Sequence, residues 1–467
     1  MILRKLVMPA LCKLVALTIA ASFTANAAPQ EARQTAQEAR QTDLGERFPD
    51  QETRQQEDTA FAQSQHVFFL GPALVVAWNQ TVNEIAFAED QFFTFKGVRA
   101  HAMMHIAIHD SLNAVIPLYR QFAFRRTDLL AHPIAAAAQA AHDVVLSQYP
   151  GEQARLDTEL ASWLSRVPDS FSKTRGITLG RQSAAAILAL RAGDGWDFQG
   201  TYVFSTELGA YQTTPPWNGF VLQPGFRFAK PFGLRAPNQF RPAPPPRLES
   251  QQYATAFNEV KDYGRADSMV RTLDQTRYAI WWMEFTDGSM NRLARQLVTQ
   301  RRTHLWQSAR MFALLNMSMF DGYLATWDSK FEYNHWRPYT AIREAARDGN
   351  RFTEADSTWE PLRTTPPFPD YVSAHSTVCG SSFEILKRTF GDHVSFTMET
   401  TTAPPEMPTR TFRSFSAAAA ECADSRVRLG WHFRYATNGG LALGRAVAGW
   451  IEENHLEFRP GFPQSEK

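Results

Sequence analysis

Cysteine is scarce in this chain: Cys12, Cys379 and Cys422 are the only three in 467 residues. That is too few for a disulfide-stapled scaffold, and their spacing is neither that of a zinc site nor a CxxC redox motif. An excess of one charge is also missing. Lys plus Arg number 48 against 47 Asp plus Glu, a formal net charge of +1. This excludes a general nucleic-acid binder and a polybasic membrane-surface protein. No segment alternates apolar and polar residues for long enough to suggest a sheet. What is present is a composition 44% hydrophobic and 12% aromatic, enough to bury a large core and typical of a globular enzyme.

The amino terminus carries Arg4, Lys5 and Lys13, then the apolar run Leu14 to Ala21, then Ala25-Asn26-Ala27. Charge, apolar run and A-x-A in that order read as a secretory signal over 1–27, so an exported protein, periplasmic or secreted, is expected. The run is shorter than the roughly 20 residues of a membrane span, so no stable membrane insertion is expected once the signal is removed. Removal takes away three basic residues, leaving 45 against 47 and a net charge of −2. QEARQTA and QEARQTD then follow in tandem from Gln30 to Asp43. Two polar copies cannot make a coiled coil, and 28–60 reads as a disordered tether. Ordered sequence is expected from about Phe61.

Helical spacing of apolar residues runs through 61–200, clearest over Val98 to Ile116, Ile134 to Tyr149 and Gly176 to Ala192. Between 201 and 250 prolines and aromatics crowd together, which reads as an ordered connection because aromatic rings need burial. Helical pattern returns across 251–460. The fold class expected is all-α, packed as helical bundles. His101, His105 and His109 share one helix face, but no HExxH-type carboxylate accompanies them and half-buried packing is the better reading.

Chemistry concentrates in three segments. The first, Lys330 to Pro338, holds Lys330 and Arg337 seven apart, almost two turns if helical, which would put both cations on one side. The second, Pro366 to His375, is a stiff proline-rich approach ending in Ser373-Ala374-His375 before a helix expected over Ser376 to Phe390. A helix start offers free backbone N–H groups and a positive dipole end. The third, Ser425 to His432, adds Arg426 and His432. Together they supply three cations, a hydroxyl, backbone amides and two histidines, the inventory for holding a tetrahedral oxyanion.

These segments resemble the superfamily of vanadium-dependent haloperoxidases and type 2 phosphatidic acid phosphatases, whose pattern is K-x6-R-P, then P-S-G-H, then S-R-x5-H-x3-D. The WRP context and the PPFPxY approach look like the fungal-type chloroperoxidases, and HFRYATNGGLALGRAV looks like bacterial haloperoxidase-related proteins, the closest resemblance overall. The resemblance implies that Lys330, Arg337, Ser373, the Ala374 amide and Arg426 hold the oxygens of vanadate or phosphate. It implies that His432 ligates vanadium or becomes a phosphohistidine, and that His375 is the acid–base residue. Trp336 and Phe368 are candidate walls of a halide or substrate pocket, and Asp321 is a candidate carboxylate partner for one of the arginines.

The chain departs from the pattern at three positions. Val372 replaces Pro, Ala374 replaces Gly, and Ala436 stands where an Asp would orient His432. The last should harm a nucleophilic histidine more than a metal ligand, which favours oxidation of halide by hydrogen peroxide at vanadate. The alternatives are hydrolysis of a phosphate ester with no cofactor, and an oxyanion-binding protein without turnover. Cys379 lies one turn after His375 and Cys422 one turn before Arg426, so a disulfide between them could tie the second and third segments together.

Overall fold

Thirteen α-helices and one two-stranded hairpin form the regular structure of residues 70–459, the residues that the computed structural model describes. The signal sequence, the tandem copy, Cys12 and the tether lie outside them. Five helices come first: α1 (Ala73–Asp90), α2 (Lys96–Val115), α3 (Pro133–Gln148), α4 (Gln153–Leu164) and α5 (Phe171–Leu190). After a long connection come α6 (Gln251–Gly264), α7 (Leu273–Trp281), α8 (Thr286–Gln300), α9 (Leu305–Tyr333) and the short α10 (Pro338–Arg343). The last three are α11 (Ala374–Phe390), α12 (Phe415–Arg428) and α13 (Arg434–Asn454). The all-α reading of the sequence holds. No helix among the described residues is long and apolar enough to cross a membrane.

Local sequence explains where the helices start. Ser170, Ser250, Ser373 and Ser414 cap α5, α6, α11 and α12, and Thr272 with Gln275 forms a capping box on α7. The 29-residue α9 is buried almost all round, as a helix at the centre of a bundle must be. α11 and α13 cross closely because glycines remove the obstacle: a Cβ on Gly440 would sit 2.6 Å from the Ser373 carbonyl oxygen, and Gly444 meets Thr377 in the same way. This contact lays α13 directly behind the capped start of α11.

Two expectations need revision. A small sheet exists: β1 (Phe396–Glu399) pairs antiparallel with β2 (Thr409–Phe412), Phe396 opposite Phe412. Strands of four residues are too short to register as alternation in the sequence. The Lys330–Arg337 segment is not one helix. α9 ends at Tyr333, Asn334 turns left-handed at φ 48°, and Arg337 is extended at φ −85°, ψ 156° because Pro338 follows it. The two cations meet because the chain reverses, not because of helical periodicity.

The 201–250 connection is ordered by specific anchors. The buried Asp321 carboxylate accepts N–H groups from Phe232, Gly233 and Leu234 at 2.7–2.8 Å. Asp321 therefore serves this backbone loop, beside Arg191, and not an arginine of the three chemical segments. His101, His105 and His109 are buried on α2; Asn79 bonds His105, and the His109 ring faces the Arg120 carbonyl. They form no three-ligand metal cluster among the described residues.

Candidate oxyanion site

Lys330 occupies the last turn of α9 with its ammonium fully buried, donating to the carbonyls of Pro369 (2.6 Å) and Asp370 (3.0 Å). Arg337, also fully buried, donates from Nε to the Phe368 carbonyl (2.7 Å) and from Nη1 to the Trp431 carbonyl (2.8 Å). The first segment thus fixes the backbone of both others. Arg426, on the last turn of α12, donates from Nη2 to the Trp282 carbonyl (2.7 Å) and from Nε to Ser425 Oγ (2.9 Å). The Trp282 backbone also bonds His375, so one carbonyl at the end of α7 positions two residues of the site.

Ser373 caps α11 and is wholly buried, its Oγ accepting from Ser376 Oγ at 3.0 Å. Ala374 opens that helix, and no positive φ occurs there. Replacing glycine by alanine is therefore free of backbone strain at this position. The Ala374 amide is one of the first-turn N–H groups without an intrahelical acceptor.

Burial sets the electrostatics. It pulls Arg337 down to about 10 and Arg426 to about 9, and with Arg337 nearby it holds Lys330 well below the ordinary lysine range. Three buried cations face one buried carboxylate, Asp370, which burial pushes up to about 7 against the pull of Arg337 and Lys330. Five side-chain atoms here have no hydrogen-bond partner: the donors Arg337 Nη2 and Arg426 Nη1, and the acceptors His375 Nε2, Asp370 Oδ1 and Asp370 Oδ2. Buried donors left idle beside surplus positive charge are what an oxyanion site presents before its ligand arrives.

Asp370 is the residue that sequence reasoning missed. Its Oδ1 lies 2.7 Å from His432 Nδ1, where the absent Asp at position 436 had left His432 without an orienting group. The contact is close but off the N–H axis, and neither carboxylate oxygen has an aligned side-chain donor. Arg337 Nη1 is 3.1 Å from His432 Nε2, and arginine can only donate, so Nε2 is the acceptor and the ring proton belongs on Nδ1 beside Asp370. Burial first, then Arg337, Lys330 and Arg426, hold His432 well below its ordinary pKa and keep it neutral. The Nε2 lone pair is thus directed at the cation cluster. The one available sequence signal was an Asp stranded in an otherwise apolar, proline-rich segment.

His375, His432, Arg426 and Ala374 face one end of a cavity of about 290 Å³ that Phe368, Trp217, Trp431 and the Phe92–Phe95 turn also line. Phe368 is a wall, with Lys330 Nζ and Arg337 Cζ each 4.9 Å from its ring centroid. Trp336 is not among the lining residues: it is buried, its backbone N–H held by the Gly209 carbonyl. Behind His375, Cys379 and Cys422 are bonded, joining α11 to α12, and a His375 ring nitrogen and the two sulfurs lie within 4.8 Å of one another.

Residues 310–459, from α9 to the end of the described chain, match the family model of the vanadium chloroperoxidase (VCPO) second helical-bundle domain. The fold resembles the crystal structure of a bacterial vanadium-dependent iodoperoxidase with a TM-score of 0.72, at 24% identity, over 83% of this chain and 97% of that one. The carboxy-terminal part of the chain thus resembles the second helical bundle of vanadium chloroperoxidases, and the fold as a whole is that of the bacterial vanadium haloperoxidase structures. A holo-type bacterial vanadium-dependent chloroperoxidase has a similar fold, with a TM-score of 0.59 at 16% identity over 78% of this chain and 92% of that one. In sequence, vanadium chloroperoxidase of Curvularia inaequalis is 32% identical over 96 residues, 18% of this chain. That match spans 15% of the relative's length. That domain model covers all three chemical segments, whereas Phe92–Phe95 and Trp217 reach the cavity from outside it.

Proposed function

We propose that the chain is a vanadate-dependent haloperoxidase, oxidising halide with hydrogen peroxide to hypohalous acid and water with uptake of one proton. The observation that carries this reading is the pair of idle donors Arg337 Nη2 and Arg426 Nη1 with the unpartnered acceptor His375 Nε2, beside three buried cations at the end of an aromatic cavity. These residues fit a tetrahedral oxyanion. Lys330, Arg337 and Arg426 would offset its charge, Ser373 Oγ and the Ala374 amide would donate to its oxygens, and His432 Nε2 would ligate vanadium. Bound vanadate supplies a Lewis-acidic centre that activates peroxide toward halide without changing oxidation state.

Asp370 keeps the His432 proton on Nδ1, so Nε2 presents its lone pair to the cation cluster, where vanadium would take the place of the Arg337 Nη1 contact. Burial and then Arg426 hold His375 neutral, so its Nε2 can take a proton from arriving peroxide and return it as water leaves. The apolar cavity excludes bulk water from the oxidised halogen. The amino-terminal signal pattern supports an exported protein.

One observation favours a second reading, metal-free hydrolysis of a phosphate ester by His432. Asp370 supplies the carboxylate whose absence at Ala436 argued against a nucleophilic histidine. Dye bromination with peroxide and bromide, run with and without orthovanadate beside chromogenic phosphate-ester hydrolysis, separates the two. Bromination that requires vanadate and is lost in His432→Ala is the expected result. Hydrolysis alone would favour the phosphatase, and neither activity with retained anion binding would leave a non-catalytic oxyanion binder.

A further inference from the structure

One side chain on the cavity wall is a thioether. Met283 lies in the turn between α7 and α8, half-buried, and lines the same cavity as His375, Arg426 and His432. No other methionine among the described residues lines it. Seven of them, Met103 and Met290 included, are at most 2% exposed inside the core, whereas Met269 stands 94% exposed on the surface. Exposure makes Met269 the first sulfur to meet an oxidant arriving from solution. An oxidant formed inside the cavity meets Met283 first.

The turn that carries Met283 also supports the anion site. The carbonyl of Trp282, the preceding residue, accepts from Arg426 Nη2 at 2.7 Å and also bonds His375. The Met283 N–H donates to the Ile280 carbonyl (3.0 Å) and the Glu284 N–H to Thr402 Oγ1 (3.1 Å), so the backbone is held on both sides of the thioether. Sulfoxidation converts a flexible apolar side chain into a polar one with an acceptor oxygen. On the same cavity Arg426 keeps an idle donor, Nη1. A sulfoxide bonded there would occupy a donor that the oxyanion needs.

We propose that Met283 is a modification site that brakes the reaction: hypohalous acid formed in the cavity oxidises its sulfur, and the sulfoxide weakens the anion site through Arg426. The source of the oxidant rests on the haloperoxidase reading. In the oxidation the sulfur lone pair attacks the halogen and hydroxide leaves. Water then adds to sulfur, halide departs, and two protons are released, one of which neutralises the hydroxide. The net result is a thioether and hypohalous acid giving sulfoxide, halide and one proton, with sulfur oxidised and halogen reduced by two electrons. Methionine sulfoxide reductases reverse such a lesion, so the brake can be released.

Peptide mass spectrometry of the full-length protein, loaded with orthovanadate and given peroxide and bromide, reads the sulfoxide at each methionine while dye bromination reads turnover in the same sample. Met283 is expected to oxidise before Met269 during turnover. Hypobromous acid added from outside to protein without vanadate should reverse that order. After turnover and removal of vanadate, the oxidised protein should bind inorganic phosphate about tenfold more weakly in a calorimetric titration, the weight of one charge-assisted hydrogen bond. Met283→Leu, apolar and of similar volume, should keep its phosphate affinity through the same treatment, which separates Met283 from any other oxidised residue. Bromination with Met269 oxidised first, Met283 first in both arms, or an equal loss of phosphate affinity in Met283→Leu would each overturn the proposal while leaving the haloperoxidase reading intact. No bromination at all would instead overturn that reading, and the brake with it.

Discussion

The cation cluster should make the protein measurably more stable when an oxyanion is present. Three donors await a ligand: Arg337 Nη2, Arg426 Nη1 and the Ala374 amide. At about 1.5–3 kcal/mol for each charge-assisted bond, they supply about 4.5–9 kcal/mol. The middle of that range corresponds to a dissociation constant of about 10 μM. Orthovanadate or phosphate at about 1 mM, a hundredfold excess, then stabilises the native state by about 2.7 kcal/mol. Unfolding residues 70–459 at about 2.1 cal/mol/K per residue gives an unfolding entropy of about 0.8 kcal/mol/K, so the melting temperature should rise by about 3 °C. Arg426→Gln removes a cation and its free donor, and a hundredfold weaker site would yield only about 0.4 kcal/mol, a rise of about half a degree. Differential scanning calorimetry of both proteins with and without the anion reads this directly. A wild-type melt unmoved by either anion would refute the reasoning, as would an Arg426→Gln melt that rises by the full amount.

Asp370→Asn should lower kcat for halide oxidation about ten- to hundredfold by releasing the His432 ring, as loss of a ligand's outer partner does. Phosphate affinity should not fall with it, because a repelling carboxylate has also gone; a parallel loss of both would mean that Asp370 is merely structural. Reducing Cys379–Cys422, or replacing Cys379 by Ser, reopens a link across 43 residues and should cost about 4 kcal/mol of stability on the chain-entropy account. A melt insensitive to reductant would contradict that bond. Burial holds His109 down to about 3 from an ordinary 6.5, so the unfolded chain takes up a proton that the native one refuses. Its contribution is present above pH 6.5 and is lost as pH falls toward 3. The stability difference between wild type and His109→Gln should therefore shrink by about 1.4 kcal/mol per pH unit on acidification through that window. Urea titrations at stepped pH would show a constant difference if the reasoning failed.

Periodicity made the helices legible. Val98 to Ile116 anticipated α2 within two residues at its start, and the helix expected from Ser376 begins two residues earlier, at Ala374, after the Ser373 cap. The three segments were legible as an oxyanion inventory because they contain cations, amides and histidines in short runs. What was not legible is where chain reversal and distant packing decide. The distance from Lys330 to Arg337 depends on the left-handed Asn334 and on Pro338, and helical spacing gives the proximity for the wrong reason. Asp321 looked available because it precedes Lys330 by fewer than three turns, yet three backbone amides from 232–234 claim it. Asp370 looked like part of a rigid approach, yet it faces a histidine 62 positions later.

That exchange alters how the superfamily pattern should be read in this chain. The pattern places the orienting carboxylate four residues after the ligating histidine, one helical turn away. Here α13 begins at Arg434, and buried Ala436 uses its carbonyl to hold the Ser373 N–H at 3.0 Å. An acidic side chain at 436 would enter a core that already contains Asp370, adding a second buried carboxylate beside the first. Asp370 can do the work because Lys330 donates to its carbonyl and His335 accepts its N–H, fixing the backbone that carries it. The carboxylate beside the His432 ring thus comes from the loop in front of it, not from the helix behind it. The consequence is a coupling: Lys330 and Arg337 bind the loop that carries Asp370 beside the histidine, so a substitution at either should disturb His432 along with the charge balance.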